Sequence, residues 1–313
     1  MRNSFLSSPN YGAFYAALSG LLFGLLGYFG LSVINAHLST YNMLFWRFLV
    51  SSLFIFVLLL PRIKSVILAP TELIKIIFYG LAFYGSGSIL YFHAAQSIGS
   101  GLAMVIFFTY PTMVMLVNFL VYKQNISKIY YLALIIILVG MLFLVHGSEF
   151  IFDLKGLGLG VLSAFLYALY IITSKNSSVP PLISTFWISI GSALVCLLCS
   201  LLSKSFLVPM DFKIWFDIGG IGIICTALPI LLLLKGLKQI SSLQASILSV
   251  LEPVFVVIFG IILLDEKVSL TQALGIVILL SGALLTLLSH RFEKEPILES
   301  HSDNGYREPQ NFW

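Results

Sequence analysis

Arg47, His93 and Glu252 are ionisable side chains that stand inside long apolar stretches of a 313-residue chain. A charged group at depth in hydrocarbon costs about 2.5–3.5 kcal/mol on insertion scales, so each should face a cavity or a partner. The guanidinium of Arg47 is a planar fork suited to a carboxylate or phosphate. Its neighbour Trp46 is a typical interface anchor, so Arg47 could instead snorkel outward or brace a loop. Glu252 precedes Pro253, and proline removes one helical hydrogen bond and frees the carbonyl four residues back, that of Ser249. An acid beside such a kink suits a proton or a cationic group, or a buried structural place between helices. His93 could relay protons or pack as a hydrogen-bonded ring. Pro111 should kink its own stretch as Pro253 does. Asp265 and Glu266, at the end of the Glu252 stretch, read as cap or loop residues.

Aromatic and amide side chains supply the other groups that could line a polar cavity: Tyr84, Tyr91, Gln96 and Tyr110 early in the chain, Tyr167, Tyr170, Trp187 and Gln244 later. Mixed aromatic and hydrogen-bonding walls suit amphipathic or zwitterionic solutes. With 14 tyrosines and 26 phenylalanines, most must pack or face lipid. The residues expected to contact or gate a small-molecule substrate are Arg47, Tyr84, Tyr91, His93, Tyr110, Trp187 and Glu252.

Other chemistries find little support. Cys196 and Cys199 lie one turn apart, with Cys225 as the third cysteine. Two thiolates without a histidine pair fall short of the usual four-ligand metal set, so no metal is expected. No paired acids, histidine cluster or nucleophile–base set occurs at helical spacing, which argues against an enzyme. A phosphate-cradling Gly-rich loop with Lys-Ser/Thr is also missing, so direct ATP drive and a bound cofactor are not expected.

These residues must be positioned by elements that live in lipid. Apolar residues make up 59% of the chain and charged residues 10%, against about 45–50% and about 25% in soluble domains. A hydrocarbon core about 30 Å thick needs about 20 apolar helical residues. Ten runs qualify: 13–33, 42–60, 76–96, 102–122, 129–145, 156–174, 182–202, 214–234, 243–264 and 270–289. Continuous rather than alternating apolarity favours helices over a barrel. The first run lacks a convincing cleavage site and reads as a retained span.

With ten spans, 12 of the 17 Lys and Arg fall on one side and four on the other, with Arg47 inside a span. The positive-inside rule then places both termini in the cytoplasm. The scattered basic residues do not point to nucleic acid. Residues 290–313 read as a polar cytoplasmic tail.

The chain also repeats itself. At an offset of 142 residues, Ile98 matches Ile240, Ser100 Ser242, Ala103 Ala245, Pro111 Pro253, Ser127 Ser269 and Gly140 Gly282. Earlier, Gly12 pairs with Gly156, and Phe45-Trp46 with Phe186-Trp187, at offsets of 144 and 141. Each half, 1–146 and 156–289, holds five spans, and an odd number makes the second half insert upside down. Inverted repeats with a midplane site are a common way to build alternating access. The fold expected is an all-α polytopic membrane protein of ten transmembrane helices in two inverted five-helix repeats. Small residues at Gly20 and Gly24, and at Gly156, Gly160, Ala164 and Ala168, should let helices approach closely.

The repeat, Arg47 in the second run, and the segment LEPVFVVIFGIILLDEKVSLTQALGIVILLSG resemble the EamA-type branch of the drug/metabolite transporter superfamily. The first-half segment TYPTMVMLVNFLVYKQNIS keeps Pro111 but has Tyr110 in place of Glu252 and Gln124 in place of Glu266. The resemblance implies a central cavity lined mainly by spans one to four and six to nine, with spans five and ten at the periphery. It implies a secondary transporter of a small polar metabolite, an amino acid or amino-acid-like solute. Alternatives are a nucleotide-like solute such as S-adenosylmethionine, or a non-transporting structural protein. Implied partners are the substrate, membrane lipid and a proton, in a monomer or homodimer in a bacterial cytoplasmic membrane.

Overall fold

A backbone in hydrocarbon has no water to bond, so long apolar runs settle as helices that satisfy their own N–H and C=O groups. A computed structural model of the chain describes residues 9–26, 28–29, 38–61, 69–146, 152–264 and 268–292, and among these there is no strand. The helices are α1 (Pro9–Gly24), α2 (Thr40–Leu59), α3 (Pro70–Ile98), α4 (Ser100–Leu120) and α5 (Lys128–Leu144). Then come α6 (Leu154–Asn176), α7 (Pro181–Leu202), α8 (Phe212–Leu237), α9 (Ser242–Leu263) and α10 (Leu270–Phe292). Eight of them are long and apolar enough to cross a membrane; the apolar parts of α1 and α5, Tyr11–Gly24 and Lys128–Leu144, are shorter. The chain is an integral membrane protein. Asp265, Glu266 and the tail beyond residue 292 lie outside the described residues.

Several helices begin on side chains that satisfy free backbone donors. Ser39 accepts from the Asn42 N–H, Asp153 from those of Lys155 and Gly156, and Asp211 from that of Lys213. Ser241 and Gln244 form a reciprocal capping box at the start of α9.

Two pairs of irregularities shape the interior, and in each pair the members are about 142 residues apart. α4 is interrupted at Phe108–Thr109, just before Tyr110-Pro111, and α9 at Val250–Leu251, just before Glu252-Pro253. There the ladder tightens: Thr109 N–H reaches Ile106 O at 3.1 Å, and Val250 N–H reaches Ile247 O at 3.1 Å. Proline supplies the cause, since it lacks a donor and its ring crowds the preceding turn. The second pair is a widening to π geometry, over Tyr79–Gly85 in α3 and Gly220–Ala227 in α8.

Each widened turn lies against a helix of the other half. A Cβ on Gly80 would sit 2.3 Å from the Ile188 carbonyl oxygen of α7, and one on Gly222 would sit 2.7 Å from Val50 Cβ of α2. Only glycine permits either approach. The major contacts follow the same logic: α2 packs on α7, α5 on α10, α1 on α8, and α3 on α6. Exchanging the two halves by the repeat turns α1–α8 and α3–α6 into each other and leaves α2–α7 and α5–α10 as they are. The α5–α10 pair stands at the periphery, held by backbone contact at Gly140 and Gly275.

Candidate functional site

The small-residue stripes of α1 and α6 allow the two broken helices to be gripped closely. Gly20 lies against the backbone of Ser249 and Glu252, and Gly24 against Phe255, so α1 backs the interruption of α9. Gly156 and Gly160 lie against Ile98 and Ile106, so α6 backs α3 and the first segment of α4. Between these units is a cavity of about 400 Å³, within the range of small-molecule sites.

Most of its wall comes from the first half. α1 contributes Phe23, with Leu26 just past its end; α2 contributes Met43 and Arg47, and α3 Tyr84, Ser88, Tyr91 and Phe92. α4 contributes Ser100, Gly101, Met104, Phe107 and Phe108, whereas α6 gives Tyr167 and α9 gives Glu252 and Val256. The wall is therefore built by helices α1 to α4, α6 and α9.

Arg47 is 5% exposed and does not snorkel. Its Nε donates to Thr226 Oγ1 at 2.7 Å and its Nη2 to the Cys225 carbonyl at 3.4 Å. Both acceptors belong to the widened turn of α8, and Thr226 is itself fixed by donating to Ile221 O at 2.7 Å. The guanidinium is thus anchored from behind, and Arg47 lines the cavity beside Tyr84. Glu252 faces the same space. Among the described residues the one ion pair is Lys75 with Glu72 at 2.8 Å, so Arg47 and Glu252 do not neutralise each other by contact.

Tyrosines connect the cavity to the interior. The ring of Tyr167 lies 4.7 Å from Tyr110, 5.1 Å from Phe107 and 6.0 Å from Tyr84, and Tyr84 lies 4.8 Å from Tyr170. Of the residues expected to contact or gate substrate, Arg47, Tyr84, Tyr91 and Glu252 are brought together here, and Tyr167 joins them. The others are placed elsewhere. Tyr110 lies beneath the cavity, fully buried, and its hydroxyl donates to the Ser246 carbonyl at 3.0 Å. The His93 ring lies 5.1 Å from that of Tyr41, tilted by 57°, and its Nε2 is buried without a hydrogen-bond partner. Trp187 packs edge-on against Phe186.

Ser88, Met104, Phe107 and Phe23 were not singled out from sequence. A signal existed for some of them. Tyr84, Ser88 and Tyr91 share one helical face, as do Ser100, Met104 and Phe107, by spacing of three and four residues.

The two ends of the bundle differ. At the end carrying the α8–α9 turn, Asn118 donates to Ser242 Oγ at 3.0 Å and Gln244 to the Tyr130 hydroxyl at 2.9 Å. Lys175 donates to the carbonyls of Leu237 and Ile240 at 2.7 and 2.9 Å, closing the C-terminus of α8. Lys238 donates to the Ser177 carbonyl. At the end carrying the α3–α4 turn, where Gly99 adopts φ 86°, Ser100 and Gly101 line the cavity instead. The segment Ser242–Ser249 packs on Tyr110–Leu120, whereas Ser100–Phe107 stands across the cavity from Glu252.

The EamA-like transporter family model matches residues 10–146 and 154–288. An uncharacterized transporter of Archaeoglobus fulgidus is 28% identical over 254 residues, covering 80% of this chain and 88% of that protein. An uncharacterized transporter of Bacillus subtilis is 23% identical over 278 residues, covering 87% and 88%. A crystal structure superposes with a TM-score of 0.78 at 17% identity, covering 90% of this chain and 99% of that one, a likeness of fold.

Proposed function

This chain belongs to the EamA-like transporter family, matched over both halves, and on that premise we propose that it is a secondary carrier for a small amino-acid-like solute. The observation that supports this is the joint presence of Arg47 and Glu252, unpaired with each other, on the wall of one cavity of about 400 Å³. The guanidinium of Arg47 suits a carboxylate and the carboxylate of Glu252 suits an ammonium. Tyr84, Tyr91, Phe107 and Tyr167 give an apolar body somewhere to lie. In this reading the ten helices all cross the membrane, both termini are cytoplasmic, and the second half is inverted relative to the first. The α8–α9 turn then lies at the cytoplasmic end and the α3–α4 turn at the opposite end. Transport exposes the cavity alternately to the two sides.

Purified full-length protein in liposomes, preloaded with amino acids in turn, should exchange at least one labelled zwitterionic solute against its unlabelled form. S-adenosylmethionine belongs in the same panel as the nucleotide-like comparison. Failure of every zwitterion, with exchange of a neutral sugar or an anion instead, overturns the substrate class. Arg47→Ala and Glu252→Ala should each lower exchange at least about tenfold, the consequence of about 1.4 kcal/mol of lost binding.

A further inference from the structure

The two broken helices carry unlike side chains at one equivalent place, Tyr110 in α4 and Glu252 in α9, 142 residues apart. The Tyr110 hydroxyl donates to the carbonyl of Ser246, in the first segment of α9, at 3.0 Å. That bond joins the two helices on the side of the bundle that is closed. Exchanging the halves by the same 142-residue offset turns Tyr110 into Glu252 and Ser246 into Met104. The equivalent bond at the other end would therefore run from Glu252 to the Met104 carbonyl. Glu252 and Met104 both line the cavity, and the Met104 carbonyl takes the Phe108 N–H at 2.9 Å, which leaves a second lone pair.

A phenol always has a proton to donate at neutral pH, whereas an ionised carboxylate has none and a carboxylic acid has one. We propose that Glu252 is a proton-operated latch that closes the Gly99 end of the cavity by donating from its protonated carboxyl to the Met104 carbonyl. Tyr110 is the permanent version of the same latch at the Ser241 end. The proton enters from cavity water and leaves by the same route. When Glu252 is ionised, two acceptors face each other and the end stays open. This inference rests on the carrier reading, with halves that exchange roles.

The groups around Glu252 set what else could respond to pH. Arg47 on α2, Tyr84 and Tyr91 on α3, Tyr110 on α4, Tyr167 on α6 and Cys225 on α8 all sense its charge. α1 faces it with Gly20, which does not titrate. Arg47 is the cation of the set, and it attracts the ionised carboxylate that keeps the cavity open.

Spin labels on Ser100→Cys and Ile261→Cys, attached at neutral pH to full-length protein in lipid nanodiscs, would report the width of this end. Signal from the three native cysteines is set by labelling the unsubstituted protein. Acidification should move the main population from the long to the short distance. Glu252→Gln, whose amide donates at any pH, should stay short throughout, and Glu252→Ala should stay long. A pH-dependent shift that persists in either variant overturns the latch, as does a distance that ignores pH when Glu252 is present. If Glu252→Ala does not fold, Glu252→Gln decides alone. Exchange assays on the same protein separate the two ideas. A pH-driven closure without solute exchange sinks the carrier reading and keeps the latch, whereas exchange without pH-driven closure sinks the latch alone.

Discussion

Arg47 is held by two acceptors that exist in this position because α8 is widened around them. Replacing Thr226 by Val keeps the volume but strands a buried N–H of a cation. Charged hydrogen bonds contribute about 1.5–3 kcal/mol in soluble proteins and less inside membranes, so a loss of about 1–2 kcal/mol is expected. Equilibrium unfolding in mixed micelles would measure it, and an unchanged stability would mean the bond contributes nothing. Arg47 and Glu252 were legible in the sequence because ionisable groups in apolar runs are costly enough to be rare. Rarity does not say which way a side chain points, however. His93 is as rare as Glu252, yet it lies against Tyr41 and away from the cavity. Met104 and Phe107 were marked only by sharing a helical face with Ser100, since their types are as common on lipid-facing surfaces as on cavity walls.

Among the elements, the broken and widened helices decide where the cavity forms. The breaks of α4 and α9 were half legible, because Pro111 and Pro253 announce a kink without saying that the ladder stops two residues earlier. The π turns were not legible, because they depend on a helix more than a hundred residues away in the chain. Gly191 makes that dependence testable: a Cβ there would lie 2.2 Å from the Ile77 carbonyl, backbone against backbone. Gly191→Ala should therefore reduce the yield of folded protein severely. Gly158 is the control, since a Cβ meets nothing within 4 Å, and Gly158→Ala should be neutral or stabilising by up to about 1 kcal/mol. Comparable yields for the two variants would mean that the α3–α7 contact is looser than described. Tyr110→Phe removes the hydroxyl bond to Ser246 and leaves the ring. It should loosen the closed end and expose Ser242→Cys to thiol reagents faster than in its Tyr110 parent.

For the molecule as a whole, the pairing of α2 with α7, α5 with α10, α1 with α8 and α3 with α6 makes each half depend on the other for its packing. The repeat in the sequence did not say which helix meets which, because apolar stripes of similar composition do not name their partners. The proposed orientation has a direct check. Met210, 96% exposed between α7 and α8, and Lys123, exposed between α4 and α5, should lie on opposite sides of the membrane. Met210→Cys should react with an impermeant maleimide on intact cells and Lys123→Cys only after permeabilisation; the reverse pattern would invert the topology. The bond from Tyr110 to Ser246 has a pharmacological consequence as well. A donor that never loses its proton makes one end shut by default, and about 1 kcal/mol of such bias holds roughly five molecules in six in that posture. In the proposed orientation, a blocker too bulky to cross would then find its receptor from the extracellular face and be inert when supplied from the cytosol, so the resting protein would be a one-sided drug target.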